Sequence, residues 1–326
     1  MNKLPVPQLW TTETGAAVAK QVELAANAYS TDQTLEEMRL AYNKERRYWN
    51  EGGPKMVATR DAMVPTRHGN VKVRMFRPVE ADKLPAIFFS HGGGWILGNL
   101  DTHDRMTRIL AEQTGAAVIA IDYTLSPEAR YPRHIEECVD VGLEIRKKAL
   151  EWGIDSSDVS YAGDSGGASI ALASYLYMRQ EHGNADGIRS LLLFYGWYGL
   201  RDSISSRILG GEWDGLTEKD FDTYKQMYFS SPEDARAPYV DLLSQDLTQE
   251  MPATYICAAG LDPLRDDSIC LAKIMEAAKI PHKLEVFDGI IHAFLHHTKM
   301  VPQANEAIAS AAAFFKKQKP GLYPVA

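Results

Sequence analysis

A set of short, almost wholly apolar runs constrains this chain more than anything else in it. PAIFFS (85–90), AAVIAI (116–121), LLLFY (191–195) and ATYICAA (253–259) carry no charge at all. DVSYAG (158–163), KLEVF (283–287) and the alternating VKVRMFRP (71–78) belong to the same series. A continuously apolar run this short suits a strand covered on both faces, as in a parallel sheet. Amphipathic stretches separate the runs. THDRMTRILAEQ is one, and RHIEECVDVGLEIRKKALEW (133–152) is another, with Ile135, Cys138 and Val139 at i, i+3 and i+4. Strand–helix alternation of this kind implies a doubly wound α/β fold with a mostly parallel central sheet flanked by helices.

Two stretches break the rhythm. Residues 1–56 hold two helical patterns, roughly 14–29 and 33–50, closed by Glu51-Gly52-Gly53-Pro54. That is too little chain for a core of its own, so it is expected to pack on the rest as an N-terminal helical cap segment. Residues about 200–232 mix Gly, Trp and charge without a strand pattern and read as a cap insertion. The expected organisation is a cap segment at 1–56 and one catalytic domain at 57–326 carrying that insertion.

Composition excludes several classes. The net charge of −8 and the absence of a basic run argue against a nucleic-acid partner. The three cysteines, Cys138, Cys257 and Cys270, are odd in number and widely spaced, which implies free buried thiols in a reducing compartment. MNKLPVPQLW lacks the apolar core of a signal peptide, and LLLFYGWYGL (191–200) is too short to span a bilayer. A cytoplasmic protein that does not enter the membrane is the expectation.

The chemistry sits at the ends of the apolar runs. Gly163-Asp164-Ser165-Gly166-Gly167 fits G-x-S-x-G, directly after one strand pattern and before the helical ASIALASYLYMRQ. A nucleophile elbow needs that context, because only small residues fit a turn tight enough to lift the serine clear. His91-Gly92-Gly93-Gly94-Trp95 follows PAIFFS. Consecutive glycines leave backbone N–H groups unshielded, and acyl transfer needs such donors where charge builds on the carbonyl oxygen. Gly93 and Gly94 are assigned two donors and Gly166 the third. A phosphate loop would carry Lys-Ser/Thr or wider glycine spacing, which is absent.

The base and acid follow later strands. His292 comes after KLEVF and the turn Asp288-Gly289. A metal site through His292 and His296 is the competing reading, but no Glu follows His292 and no further ligand cluster is evident. His296 and His297 read as packing or solvent-facing residues. Asp262, in Gly260-Leu261-Asp262-Pro263-Leu264, directly follows ATYICAA. Its alternative is a helix cap. Asp266 and Asp267 lie inside the next helix and are expected to point elsewhere. Ser165, Asp262 and His292 stand in the chain order that a hydrolase triad uses on an α/β scaffold.

These residues also resemble a known family. HGGGW (91–95) and GDSGG (163–167), with YTLSPEARYP (123–132), DPLRD (262–266) and HAF (292–294), are similar to the hormone-sensitive-lipase-like group of microbial esterases. GWILGNLDTHDR, ERRYW and LRDS…LGGEWDGLT narrow the likeness to the enterobacterial acetyl-esterase branch of that group, and the likeness runs along nearly the whole chain. The resemblance implies an α/β-hydrolase fold with a helical cap, hydrolysis of short acyl esters, and a triad and oxyanion hole at the residues named above, with His91, Gly92 and Asp164 completing the motifs. It implies no metal and no organic cofactor. Gly166 departs from the family's usual Ala; its N–H remains, but the turn is freer. Glu128 in SPEARYP matches a supporting acid near the site, with helix capping as the plainer reading. An amidase or peptidase using the same triad, and a catalytically silent receptor on this scaffold, are the rivals; His292, commonly lost in such receptors, is in place. The substrate is expected to be a small short-chain ester. The sequence leaves a homodimer and a regulatory protein partner open.

Overall fold

Every apolar run becomes a strand of one sheet in the computed structural model, which describes residues 3–183 and 185–323. In chain order the strands are β1 (Ala58–Thr66), β2 (Gly69–Arg77), β3 (Leu84–Ser90), β4 (Ala117–Asp122), β5 (Ile154–Asp164), β6 (Ile188–Phe194), β7 (Met251–Ala259), β8 (His282–Phe287) and the short β9 (Leu322–Tyr323). Their order across the sheet is β1-β2-β4-β3-β5-β6-β7-β8, with β9 pairing antiparallel to the start of β7. β2 runs antiparallel to β1 and β4. From β4 to β8 all neighbours are parallel.

The parallel strands are apolar throughout because helices cover both of their faces. On β3, Ile87 and Phe89 pack with Ile109, Leu110 and Ile308, while Ala86 and Phe88 face the other way, against Val139, Leu172 and Leu176. The period of two divides one run between two cores. The covering helices include α3 (Asp104–Thr114), α4 (Arg133–Lys147), its short continuation α5 (Ala149–Trp152), α6 (Gly166–Glu181), α9 (Arg265–Ala277) and α10 (Pro302–Lys317). The expected helix over 133–152 divides at Lys148, whose N–H is shared between the carbonyls of Glu144 and Ile145. The sequence pattern misses β1. It lies at the sheet's outer edge with most residues exposed, so it has no apolar run to show.

The two stretches outside the rhythm are helical. α1 (Thr12–Leu24) stops short of the expected residue 29, where Ala25 turns extended and the chain enters turns tied by Asn27 and Gln33. α2 (Leu35–Asn50) starts from a capping box between Thr34 and Glu37. Met38, Tyr42, Glu45, Arg46 and Trp49 form its buried stripe. The strandless stretch after β6 runs to residue 250 rather than ending near 232, and includes α7 (Ile204–Ile208) and α8 (Glu218–Tyr228). Among the described residues no helix is long and apolar enough to cross a membrane. All three cysteines are free; Cys138 and Cys257 are buried as expected, and Cys270 is only partly so.

Candidate active site

Parallel strands deliver their C-terminal ends to one edge of the sheet, and the chemistry gathers there. β5 ends at Asp164, and Ser165 makes the turn into α6 with φ 53° and ψ −126°. Only glycine fits beside it at position 167, where a Cβ would stand 2.0 Å from the Ser90 carbonyl oxygen of β3. The elbow therefore presses directly on the neighbouring strand, and Ser165 stands at the N-terminus of α6 above the sheet. Its Oγ is 2.7 Å from His292 Nε2.

His292 lies in the loop after β8, and Asp262 in the turn after β7. Their side chains meet at 2.6 Å, Nδ1 to Oδ2, in a setting where Asp262 is fully buried and His292 nearly so. Asp262 also accepts the Leu264 N–H at 2.8 Å through Oδ1, so the turn residue and the histidine's partner are one side chain. Burial alone would depress the basicity of His292. The adjoining Asp262 carboxylate outweighs it, with Asp214 and Asp164 adding, and the imidazole is held above its ordinary range. With Nδ1–H donated to Asp262, Nε2 is left to accept a proton from the Ser165 hydroxyl. Asp266 and Asp267 point elsewhere: Asp266 accepts the Ser205 N–H, and Asp267 those of Tyr198 and Leu200.

Asp164 joins the glycine loop to the elbow. Its Oδ1 accepts the Gly92 N–H at 2.9 Å, and the Tyr195 hydroxyl and His103 Nε2 each lie 3.4 Å from its carboxylate. Burial opposes its charge, but His103 and the Gly92 N–H prevail and hold its carboxyl below the usual range. His91 stacks on Tyr123 at 4.4 Å between ring centres and meets the Gly92 carbonyl through Nδ1. Burial pushes its imidazole down to about 3, so it is a neutral strut. These contacts set Gly93 and Gly94 along the same cleft as Ser165, Gly166 and His292. Gly166 opens α6, where a helix leaves N–H groups without intrahelical acceptors.

The remaining expectations meet mixed outcomes. His296 is buried, as is His297, so neither faces solvent. His296 does not pair with His292 towards a metal. It comes instead with His103 and Asp164, their ligating atoms all within 4.8 Å of one another. Glu128 caps no helix. It forms a two-pronged ion pair with Arg39 of α2 at 2.6 and 2.8 Å, and Arg39 also donates to the carbonyls of Ile96 and Ser126. The Glu128 side chain therefore bears on the end of the glycine loop through Arg39.

The cleft is walled by side chains outside the α/β rhythm. Tyr29, Tyr42 and Arg46 come from the N-terminal segment, and Asp214, Leu216, Phe221 and Tyr224 from the stretch after β6. Sequence reading missed Arg46 and Asp214. Arg46 was legible in principle, because it falls on the apolar stripe of α2, where a charged residue is out of place. Asp214 had no such signal; burial pushes its carboxyl up to about 7.

Comparison with known proteins agrees with this architecture. A family profile described as alpha/beta hydrolase fold matches residues 87–296. Among solved structures, the chain is similar to a hyperthermophilic esterase from the archaeon Pyrobaculum calidifontis, with 26% identity and a TM-score of 0.86 over 97% of this chain and 98% of that one. It is also similar to an ester-hydrolase from the metagenome of Lake Arreo, with 25% identity and a TM-score of 0.87 over 94% and 98% of the two chains. EstE1, a thermophilic and thermostable carboxylesterase from a metagenomic library, matches at 26% identity and a TM-score of 0.81 over 88% and 98%.

Proposed function

The chain belongs to the alpha/beta hydrolase fold family, and from that premise we propose that it is a serine carboxylesterase hydrolysing short-chain acyl esters through an acyl-serine intermediate. The observation that carries the proposal is the linear array Ser165 Oγ, His292 and Asp262, with contacts of 2.7 and 2.6 Å, beside Gly93, Gly94 and Gly166. As Ser165 attacks the ester carbonyl, His292 takes its proton and Asp262 stabilises the imidazolium that forms. The N–H groups of Gly93, Gly94 and Gly166 receive the oxyanion. The alcohol leaves with the proton returned by His292, and water then releases the acid by the same steps.

The narrower reading is an acetyl esterase of the enterobacterial type acting on acetyl to roughly hexanoyl esters. Tyr29 and Tyr42 from the N-terminal segment, and Leu216, Phe221 and Tyr224 from the stretch after β6, support it by lining the cleft with bulky side chains. Each added methylene gains about 0.8 kcal/mol while there is room. Once the cleft is full, forcing in more costs about 1–3 kcal/mol. The test is hydrolysis of 4-nitrophenyl esters from acetate to palmitate, with Ser165→Ala as the blank. Activity should peak at roughly two to six acyl carbons and fall steeply beyond, by this balance of burial and overpacking. Comparable kcat/KM for acetyl and palmitoyl esters would refute the short-acyl reading. Turnover by the folded Ser165→Ala protein would refute the mechanism.

A further inference from the structure

The cleft beside Ser165 contains two polar side chains that the proposed reaction does not use. Arg46 is 1% exposed, and its Nε and one terminal nitrogen make no hydrogen bond. Asp214 is 7% exposed; its Oδ1 accepts the N–H groups of Gly211 and Leu216, while its Oδ2 is unpartnered. Both residues line the cleft. Tyr29 bridges them: the Arg46 guanidinium lies 5.3 Å from its ring, and a Cβ on Gly215, next to Asp214, would stand 3.1 Å from its Cβ. Buried polar groups are normally satisfied, and each exception calls for an explanation. Two exceptions on residues that line one cleft, a donor and an acceptor, point to what the cleft binds.

Charge narrows the class. Glu45 lies 3.0 Å from the Arg46 terminal nitrogen, so the cation is already neutralised, though without hydrogen-bonding geometry. An anionic ligand would gain little from it and would be repelled by the Asp164 carboxylate. A cationic ligand would meet Arg46. A hydroxyl both donates and accepts, so a set of hydroxyls satisfies the donor and the acceptor together without adding charge. The placement selects the alcohol side of the ester. The lining at Gly166 is aromatic: Trp95 donates to the Gly166 carbonyl and packs on Trp197, which packs on Phe221. Arg46 belongs to α2, which packs against the turn that holds His296, just after His292, the group that returns a proton to the leaving oxygen.

We infer that the alcohol part of the natural ester is polyhydroxylated, a sugar-like polyol whose hydroxyls are bound by Arg46 and Asp214. This rests on the esterase reading above and deepens it. A site built to bond substrate hydroxyls discriminates strongly against an analogue lacking them, because its own polar groups are then left bare.

The test compares acetate release from 6-O-acetylglucose and from cyclohexylmethyl acetate, which has a six-membered ring without the hydroxyls, and uses 4-nitrophenyl acetate as an activity check. The wild-type protein should favour the hydroxylated ester by about tenfold or more in kcat/KM, and Asp214→Asn should reduce that ratio to within about threefold. The paired variant E45Q/R46M, which removes the donors without stranding Glu45, should reduce it likewise. Turnover of both esters without preference, or a preference that survives both variants, overturns the inference while leaving the esterase reading intact. If a variant fails to fold, the wild-type ratio decides alone, and a ratio near one overturns the inference. Failure to cleave any of the three esters, nitrophenyl acetate included, instead overturns the esterase reading.

Discussion

Gly93→Ala should damage catalysis far more than its single methyl group suggests. Gly93 has φ +116°, and its carbonyl accepts the N–H groups of Ile96 and Leu97. An added Cβ would stand 2.4 Å from the Leu97 carbonyl oxygen and 2.7 Å from its carbon. Ordinary contact is about 3.5 Å, so the overlap is roughly 1 Å and is with backbone, which cannot rotate away. The unfavourable φ costs about 1–3 kcal/mol, and relieving the overlap about 1–3 kcal/mol more. The loop must move, and Gly93 and Gly94 move with it. Displacing a group by 1 Å costs about a hundredfold in rate, and losing one oxyanion donor costs about 10²–10³. Steady-state hydrolysis of 4-nitrophenyl acetate should therefore show kcat reduced about 10²–10³-fold with KM little changed. Urea unfolding should show a loss of about 2–6 kcal/mol, the sum of the two costs. Gly115→Ala is the control. Its φ is +73°, but nothing lies within 4 Å of the added Cβ, so it should cost about 1 kcal/mol of stability and no activity. The reasoning is refuted if Gly93→Ala retains activity within a few-fold of wild type, or if Gly115→Ala loses as much.

Other expectations follow from the same geometry. A fluorophosphonate probe should label Ser165 and no other residue, as read by peptide mass spectrometry; labelling elsewhere with Ser165 unmodified would move the nucleophile. Asp262→Asn should lower kcat by about ten-thousandfold, because the wrong histidine tautomer is favoured. Asp266→Asn should leave kcat near wild type, since Asp266 holds the Ser205 N–H and the Arg265 guanidinium rather than His292; the reverse pattern would misplace the acid. His292 must be neutral to accept a proton, and the neighbouring carboxylates hold its basicity above the ordinary histidine range. The acidic limb of the kcat/KM–pH profile should accordingly be centred above about 6.5, the unperturbed value. A limb centred below that value would contradict the placement of Asp262.

The sequence alone determined the scaffold and the local chemistry. Runs such as AAVIAI and PAIFFS must be buried on both faces, and that requirement dictates a parallel sheet with helices on either side. Parallel strands bring their C-terminal ends together, which is why Ser165, Asp262 and His292, far apart in the chain, could be read as neighbours from strand ends alone. The tightness of GDSGG and HGGGW was legible for a similar reason: glycines in series mark places where backbone must approach backbone. What escaped was whatever depends on contacts between segments with no period in common. β1 is an exposed edge strand whose pairing with β2 leaves no apolar signature. Glu128 finds Arg39, 89 residues earlier, and nothing local in SPEARYP announces an arginine partner. His296 meets Asp164 and His103 rather than His292, because the loop after β8 turns it under the elbow. Arg46 and Asp214 line one cleft only because α2 and the stretch after β6 close over the same sheet edge. Local periodicity fixes which face of an element is buried. Only the packed chain decides which polar groups on those faces meet, and which of them are left lining the cleft.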